Sequence, residues 1–290
     1  GDVGYMVFND HIAPAESDLA AAIHVFSMAG VTDLVLDVRY NGGGFLAIAS
    51  QLSYMIAGNA KTAGKTFEAQ VFNNKHTISN PVTGELLSPF PFLSETVGLS
   101  SNIPSGFALP TLNLSRVFII TGEDTCSASE SIINSLRGIG IEVILIGGKT
   151  CGKPYGFVSE DNCGSTYFTV QFKGENNAGF GDYADGLMPA ELPEAGKLAQ
   201  IQGCPITEDY MHDLGDENEI LLASALYYQA NNDCPVIAEK SSRSSSIIST
   251  ATPTAAERKL QGKTPLQNAI INDTQLNKYR RLTVGAYNND

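Results

Sequence analysis

The chain has 290 residues with 18 Lys+Arg against 31 Asp+Glu, so its formal net charge is −13. A hydrophobic content of 43% and a charged content of 17% exclude a disordered polyelectrolyte, and the acidic balance excludes a basic surface for nucleic acid. No apolar run reaches the roughly 18 residues that a membrane span requires. We expect a soluble globular protein, either a mature form or a fragment, because Gly1 follows no initiator Met and no apolar leader.

Charge and composition divide the sequence near Pro235. Residues 1–235 carry 10 Lys+Arg against 27 Asp+Glu, whereas residues 236–290 carry 8 against 4. The second segment opens with a Ser/Thr/Ala/Pro stretch and ends in a basic, weakly periodic stretch. We predict a catalytic or binding domain over residues 1–235 and a basic, low-complexity extension over residues 236–290.

Short β-branched runs alternate with helix-like stretches in the first segment. In chain order the pattern predicts a strand at Tyr5–Phe8, a helix at Glu16–Ala29, a strand at Leu34–Val38, a helix at Phe45–Gly58, a strand at Val117–Thr121, a helix at Ala128–Arg137 and a strand at Glu142–Ile146. Strand, helix and strand in that order favour parallel pairing. We therefore predict an α/β fold with a core of parallel strands.

Three other regions differ from this alternation. Residues 60–112 are rich in Pro, Asn and Ser without a long periodic segment, which predicts an insertion over one edge of the core. The segments Gly156–Ser159 and Thr166–Phe172 flank a turn-rich stretch, which predicts a β-hairpin. Asp216–Ala230 predicts an amphipathic helix with acidic residues in its first turn.

Three loops follow the predicted parallel strands, where catalytic groups gather in open α/β sheets. They are Asn41–Gly44, Cys126–Glu130 and Gly147–Lys153. The third loop matches most of a P-loop, but Pro154 stands where the magnesium-binding hydroxyl is required. The triple glycine of the first loop lacks the third glycine of a dinucleotide fingerprint. We expect no nucleotide cofactor.

Ser127 has a structural and a chemical interpretation. Ser127 and Glu130 have the spacing of a capping box, in which each caps the backbone of the other at a helix start. A serine in this position after a buried strand can also be an exposed nucleophile, and the next amide, that of Ala128, then faces the oxyanion.

A serine nucleophile needs a base. None of the four histidines lies on the three loops, although His11 remains an alternative base. Lys153 is the better candidate, because a lysine that follows an apolar strand and lies between Gly152 and Pro154 can be enclosed in a dry pocket, where desolvation lowers its pKa. Lys149 is the competing lysine in the same loop, and we expect it to be solvated.

The three loops, together with the strands before them, resemble one protein family. The segments LVLDVRYNGGG (34–44), TCSASESIINSLRG (125–138) and EVILIGGKTCGKPYGF (142–157) have the order and spacing of the carboxyl-terminal processing peptidases, also called tail-specific proteases. The resemblance spans roughly residues 3–190. It implies a serine endopeptidase with a Ser/Lys dyad on a crotonase-like α/β core, acting on unfolded or C-terminal segments of proteins with neither a metal nor an organic cofactor.

The resemblance also assigns roles by position. It implies that Ser127 is the nucleophile, that Lys153 is the general base, and that the amides of Ala128 and Gly43 form the oxyanion hole. Ser129 is the alternative nucleophile, and Glu130 and Gly42 are supporting candidates. The Gln or Glu that many members carry four residues after the lysine is Phe157 here, so a third catalytic residue is unassigned. The PDZ domain common in the family is not visible.

A second function is open on the same fold. Relatives in retinoid-binding proteins suggest a non-catalytic module that binds a peptide or an apolar ligand. Retention of both Ser127 and Lys153 argues against it, because a binding module has no physical need for the pair.

Five cysteines without a CxxC pair exclude a zinc ribbon and a thioredoxin-type site. The family usually works outside the cytoplasm, so we expect an extracytoplasmic location (periplasm, cell envelope or secreted), where disulfides are permitted. Cys204 and Cys234 bracket the predicted last helix and form the first expected bridge. If the dyad loops converge, a Cys126–Cys151 bridge is also expected, and Cys163 is then unpaired.

Overall fold

The structure is a computed structural model that describes residues 2–236. The predicted basic extension lies outside the described residues except for Val236, and the domain boundary near Pro235 stays a prediction. None of the helices in the described range is long and apolar enough to cross a bilayer.

Twelve strands and five helices follow one another along residues 2–236. The strands are β1 (Val3–Val7), β2 (Asp33–Asp37), β3 (Thr66–Val71), β4 (Phe90–Pro91), β5 (Arg116–Thr121), β6 (Glu142–Gly147), β7 (Tyr155–Gly156), β8 (Glu160–Asn162), β9 (Ser165–Tyr167), β10 (Phe172–Glu175), β11 (Met188–Ala190) and β12 (Gln200–Pro205). The helices are α1 (Ala15–Ala29), α2 (Leu46–Ala57), α3 (Asn59–Thr62), α4 (Ala128–Gly138) and α5 (Ile220–Asn231).

A six-stranded sheet forms the core, in the order β1-β2-β5-β6-β12-β11. Every neighbouring pair in it is parallel, which confirms the predicted α/β fold with a parallel core. Strand β2 is buried at every position, and β5 and β6 at all but their first. Such continuous burial is typical of parallel strands that are covered on both faces.

Both faces of the sheet are indeed covered. On one face, α5 packs against Val35, Phe118 and Ile144 in a cluster of buried residues. The alternate residues Leu36 and Ile119 are fully buried as well, and because side chains alternate along a strand they point to the other face. Because these strands are parallel, the loops that follow β1, β2, β5 and β6 all lie at the carboxyl edge of the sheet.

The start of α5 differs from the prediction. The acidic residues expected in its first turn precede the helix, which begins at Ile220. Glu219 is the N-cap and accepts from the Leu222 N–H at 3.0 Å. The same carboxylate is held by Arg39 at 3.0 and 3.1 Å, a long-range contact that no local pattern reveals.

The predicted hairpin is present, but its first arm was predicted wrongly, and of the predicted second arm only Thr166 and Tyr167 lie in the hairpin. Strands β8 and β9 pair across the two-residue loop Cys163-Gly164, and both loop residues have positive φ, as short hairpin loops favour. Of the predicted first arm, Gly156–Ser159, only Gly156 lies in a strand, and that strand, β7, pairs with β10.

Residues 60–112 contain β3, β4 and all of α3 but its first residue, and β3 and β4 lie with β10 and β7 in a second sheet. The segment packs against the core through Glu16 of α1, whose carboxylate accepts from the Val97 and Leu99 N–H groups at 2.6 and 2.7 Å. That the segment is an insertion stays a prediction.

Candidate active site

Ser127 lies at the junction of β5 and α4, as the sequence predicts. It is the N-cap of α4, and its φ of 56° and ψ of −117° belong to a region that only glycine adopts readily. The Ser129 N–H donates to the Cys126 carbonyl at 3.1 Å, which closes a tight turn with Ser127 at its corner. Strained turns of this kind present a nucleophile at the end of a strand.

The glycine turn after β2 lies directly against Ser127. A Cβ on Gly43 would fall 2.8 Å from the Ser127 Cβ and 2.9 Å from the Ala128 nitrogen, so only glycine fits. Within residues 2–236 no acceptor is recorded for the Ala128 N–H, one of the amides that a helix start leaves unpaired. The Gly43 N–H, in contrast, donates to Asn41 Oδ1 at 2.9 Å.

Asn41 joins the two loops, a role that the sequence analysis missed. It is fully buried, and its carbonyl accepts from the Cys126 N–H at 3.0 Å and from the Ser129 hydroxyl at 2.9 Å. The Ser129 hydroxyl is thus bonded inside the protein, which disfavours it as the alternative nucleophile. A buried Asn just before a glycine turn is the signal that could have revealed this position.

His11, the alternative base, is fully buried beside the same asparagine. Its Nδ1 lies 2.9 Å from Asn41 Oδ1, and its ring contacts Phe8. Burial lowers the pKa of His11 to about 4, so the ring is neutral near pH 7. The structure pairs His11 with Asn41 rather than with Ser127.

Glu130 is the other junction between the loops. Its buried carboxylate accepts from the Ser127 N–H at 2.9 Å, in the predicted capping-box position. It also accepts from the Gly152 and Lys153 N–H groups, both at 2.8 Å, and from the Thr150 hydroxyl at 2.5 Å. Glu130 therefore holds the backbone of Gly147–Lys153, the lysine loop, against that of Cys126–Glu130, the serine loop.

The Lys153 side chain is placed differently from the prediction. It is exposed rather than enclosed in a dry pocket, and its Nζ lies 5.8 Å from the centre of the Phe157 ring. Among the described residues no hydrogen bond joins Lys153 Nζ to Ser127 Oγ. The structure thus brings the two backbones together, while the lysine amine lies over the Phe157 ring.

A disulfide also joins the two loops. Cys126, just before Ser127, is bonded to Cys151, two residues before Lys153, and the second bridge joins Cys204 to Cys234. Both expected bridges are confirmed, and Cys163 is free and exposed. The two loop sulfurs lie near Glu130, but their mutual bond and the donors on the carboxylate leave no ligand set for a metal ion.

A buried carboxyl lies beneath the serine helix. Ser131, one turn after Ser127 on α4, donates to Glu68 Oε2 at 2.8 Å. Burial raises the pKa of Glu68 to about 7, because the charged form is poorly solvated there. The sequence analysis missed Glu68, which lies in the segment predicted as an insertion.

The chain is similar to several known proteins. The profile of peptidase family S41 matches residues 2–160. A solved structure from Bacteroides fragilis, described as a candidate S41 protease, shares 26% identity with a TM-score of 0.62, over 79% of this chain and 54% of its own. No curated protein matches the sequence.

Two more distant structures are similar in part. The photosystem II D1 C-terminal processing protease shares 18% identity over 64% of this chain and 41% of its own, with a TM-score of 0.44. A lipoprotein from Streptococcus agalactiae shares 16% identity over 69% and 62%, with a TM-score of 0.45. The chain spans about half the length of these solved structures.

Proposed function

This chain belongs to peptidase family S41, and on that premise we propose that it is a serine endopeptidase with Ser127 as nucleophile and Lys153 as general base. The observation that carries the proposal is the contact of the Gly43 turn with Ser127 and Ala128. It supports a reactive serine because the backbone of Gly43 packs closely against the Ser127 Cβ and the Ala128 nitrogen, at the start of the helix that follows a parallel strand. A serine that only capped a helix would not need a glycine turn packed against it.

In the proposed reaction, Ser127 Oγ attacks the carbonyl carbon of a peptide bond while Lys153 Nζ takes the hydroxyl proton. The oxyanion that forms is stabilised by the Ala128 and Gly43 N–H groups. The lysine then gives its proton to the leaving amine, and water hydrolyses the acyl-enzyme with the same lysine as base. This chemistry requires neither a metal nor an organic cofactor.

The lysine side chain has to move for this reaction. Glu130 already holds the Lys153 amide at 2.8 Å, so only rotations within the side chain are needed to carry Nζ from Phe157 toward Ser127. Catalytic hydrogen bonds are often long in free enzymes and tighten once the substrate is bound.

We further propose a protein or peptide substrate, unfolded or C-terminal in character, and an extracytoplasmic location. Two disulfides support the location, since oxidising compartments preserve such bonds.

Cleavage of an unstructured protein by the wild type and by Ser127→Ala and Lys153→Ala tests the proposal. We expect both variants to lose cleavage, and Lys149→Ala, an exposed lysine of the same loop, to retain it. A fluorophosphonate should label the wild type at Ser127. Cleavage that survives in both variants would end the protease proposal. Peptide binding without cleavage by any form would support the binding module instead.

A further inference from the structure

Two buried residues beneath the glycine turn have no part in the reaction proposed above. His11 lies in the loop after β1 and Asn41 in the loop after β2, and neither side chain is exposed to solvent. Their side chains meet at Asn41 Oδ1, which also accepts from the Gly43 N–H. The amide proposed for the oxyanion hole is thus bonded to the protein itself.

The hydrogen bonds determine where the imidazole proton lies. Asn41 Nδ2 donates to the Phe8 carbonyl at 2.8 Å, and Asn41 Oδ1 accepts from Gly43, so the orientation of the amide is unambiguous. An oxygen facing His11 Nδ1 requires that Nδ1 donates. His11 Nε2 is buried without a partner in the described part of the chain, so a proton there would be an unpaired donor.

The bond from His11 Nδ1–H to Asn41 Oδ1 bears on how the Gly43 N–H can enter the oxyanion hole. To reach an oxyanion, the Gly43 N–H must leave Asn41 Oδ1, and a buried oxygen that loses its donors is costly. With His11 Nδ1–H still bonded, Asn41 Oδ1 keeps one donor throughout. Gly43 lies between two further glycines, Gly42 and Gly44, which permit the peptide to rotate.

We infer that His11 is a positioning residue, whose Nδ1–H keeps Asn41 satisfied so that the Gly43 N–H can pass from Asn41 Oδ1 to the oxyanion. This role rests on the proposed function. His11 touches no reacting atom. Its ring acts through Asn41, whereas its backbone N–H, which every His11 variant keeps, donates to the Gly43 carbonyl at 3.3 Å. The interaction matters in the transition state, when the oxyanion exists, and not when the substrate first binds.

A matched pair of variants tests the inference. In His11→Asn the side-chain amide can place a donor near the former Nδ1, whereas His11→Leu has nearly the same size and no donor. We expect His11→Leu to lower kcat by roughly 100-fold, the effect of losing one oxyanion donor, with KM changed less than about threefold. His11→Asn should stay within about fivefold of the wild-type kcat, since its donor is retained.

A second readout separates positioning from a general structural role. A peptide aldehyde, which forms an oxyanion on Ser127, should bind His11→Leu roughly 100-fold more weakly than wild type. An uncleaved peptide should bind both proteins equally. Should both His11 variants lose the same activity, or should only KM change, the inference is overturned.

The wild-type protein provides a test that does not depend on the folding of a variant. Nitrogen-15 NMR of the histidine rings should show a neutral His11 with its proton on Nδ1 at pH 7, and a proton on Nε2 would overturn the inference. If the wild type neither cleaves protein nor reacts at Ser127, both the proposed function and this role of His11 are overturned. If the wild type is active but His11→Leu and His11→Asn have the same kcat, only the role of His11 is overturned.

Discussion

The serine loop and the lysine loop are bonded to the same carboxylate, yet the side chains proposed as nucleophile and base are held very differently. Ser127 is half-buried in a strained turn, with Gly43 packed against it. Lys153 has an equally fixed backbone, but its side chain is exposed and contacts Phe157.

The difference separates two requirements of the proposed catalysis. Amides that stabilise an oxyanion must be placed by the backbone, and this part of the site is built into the sheet edge. A base on a long, flexible side chain can reach the serine by rotation, provided that its Cα is correctly placed. Four predictions, from the largest expected effect to the smallest, test whether the serine loop depends on its fixed backbone while the lysine loop depends on a mobile side chain.

The largest effect concerns the two serines of the serine loop. Ser127→Ala should lower cleavage by at least about 10⁴-fold, because the nucleophile is lost. Ser129→Ala removes a bond to Asn41 and should lower it by about tenfold or less. The measurement is kcat/KM on an unstructured protein, and the opposite ranking would make Ser129 the nucleophile.

The second effect concerns the tie that both loops share. Glu130→Ala leaves the Gly152 and Lys153 N–H groups without their acceptor, so we expect a loss of about 3–5 kcal/mol in the free energy of unfolding. Urea denaturation measures it. Glu191→Ala, which removes an exposed glutamate, is the control and should cost less than about 0.5 kcal/mol. Equal costs would show that the loops do not depend on Glu130.

The third effect concerns Glu68, the buried carboxyl beneath the serine helix. The pKa of Glu68 is raised from 4.5 to about 7 in the folded protein, so its contribution to stability is full below pH 4.5. As the pH rises toward 7, the unfolded chain ionises first and stability is lost, by up to about 3 kcal/mol.

Glu68→Gln cannot ionise and should therefore remove this loss. We expect the variant to be more stable than wild type at about pH 7.5 and similar to it at about pH 4.5, with the Ser131 bond preserved. Urea midpoints at the two pH values measure the difference. A parallel pH dependence of the two proteins would contradict the raised pKa.

The smallest effect concerns the two disulfides. The double variant Cys126→Ser/Cys151→Ser removes the bridge between the serine loop and the lysine loop. It should lower kcat by roughly tenfold, because a small displacement of the proposed catalytic groups slows the reaction. The matched pair Cys204→Ser/Cys234→Ser removes the bridge between β12 and the chain after α5, and should reduce stability while kcat is kept. A dithiol added to the wild type should reproduce the first result. Equal kcat values for the two pairs would show that the Cys126–Cys151 bridge is not needed to position the loops.

Most of the core could be predicted, because each of its elements carries its own local signal. The buried strand β2, the helix start at Ser127 and the glycine turn at 42–44 are each visible within a few residues. The predicted start of α5 was wrong because the Glu219 carboxylate, which caps the helix, is bonded to Arg39, 180 residues away in the sequence. The observed hairpin strands differ from the predicted ones because a two-residue loop at Cys163-Gly164 fixes which residues pair.

The site was predictable in its residue types and less so in its contacts. Sequence alone predicted the parallel core, the loops at its edge and the Cys204–Cys234 bridge, because periodicity, glycine runs and spacing are local properties. The Cys126–Cys151 bridge was expected only on the condition that the two loops of the implied dyad converge. Only the tertiary structure decided that Asn41 and Glu130 join the loops, that His11 is enclosed, and that Lys153 points to Phe157. The reason is physical: hydrogen-bond partners and burial depend on which distant backbones come within about 3 Å, and no single stretch of sequence encodes that distance.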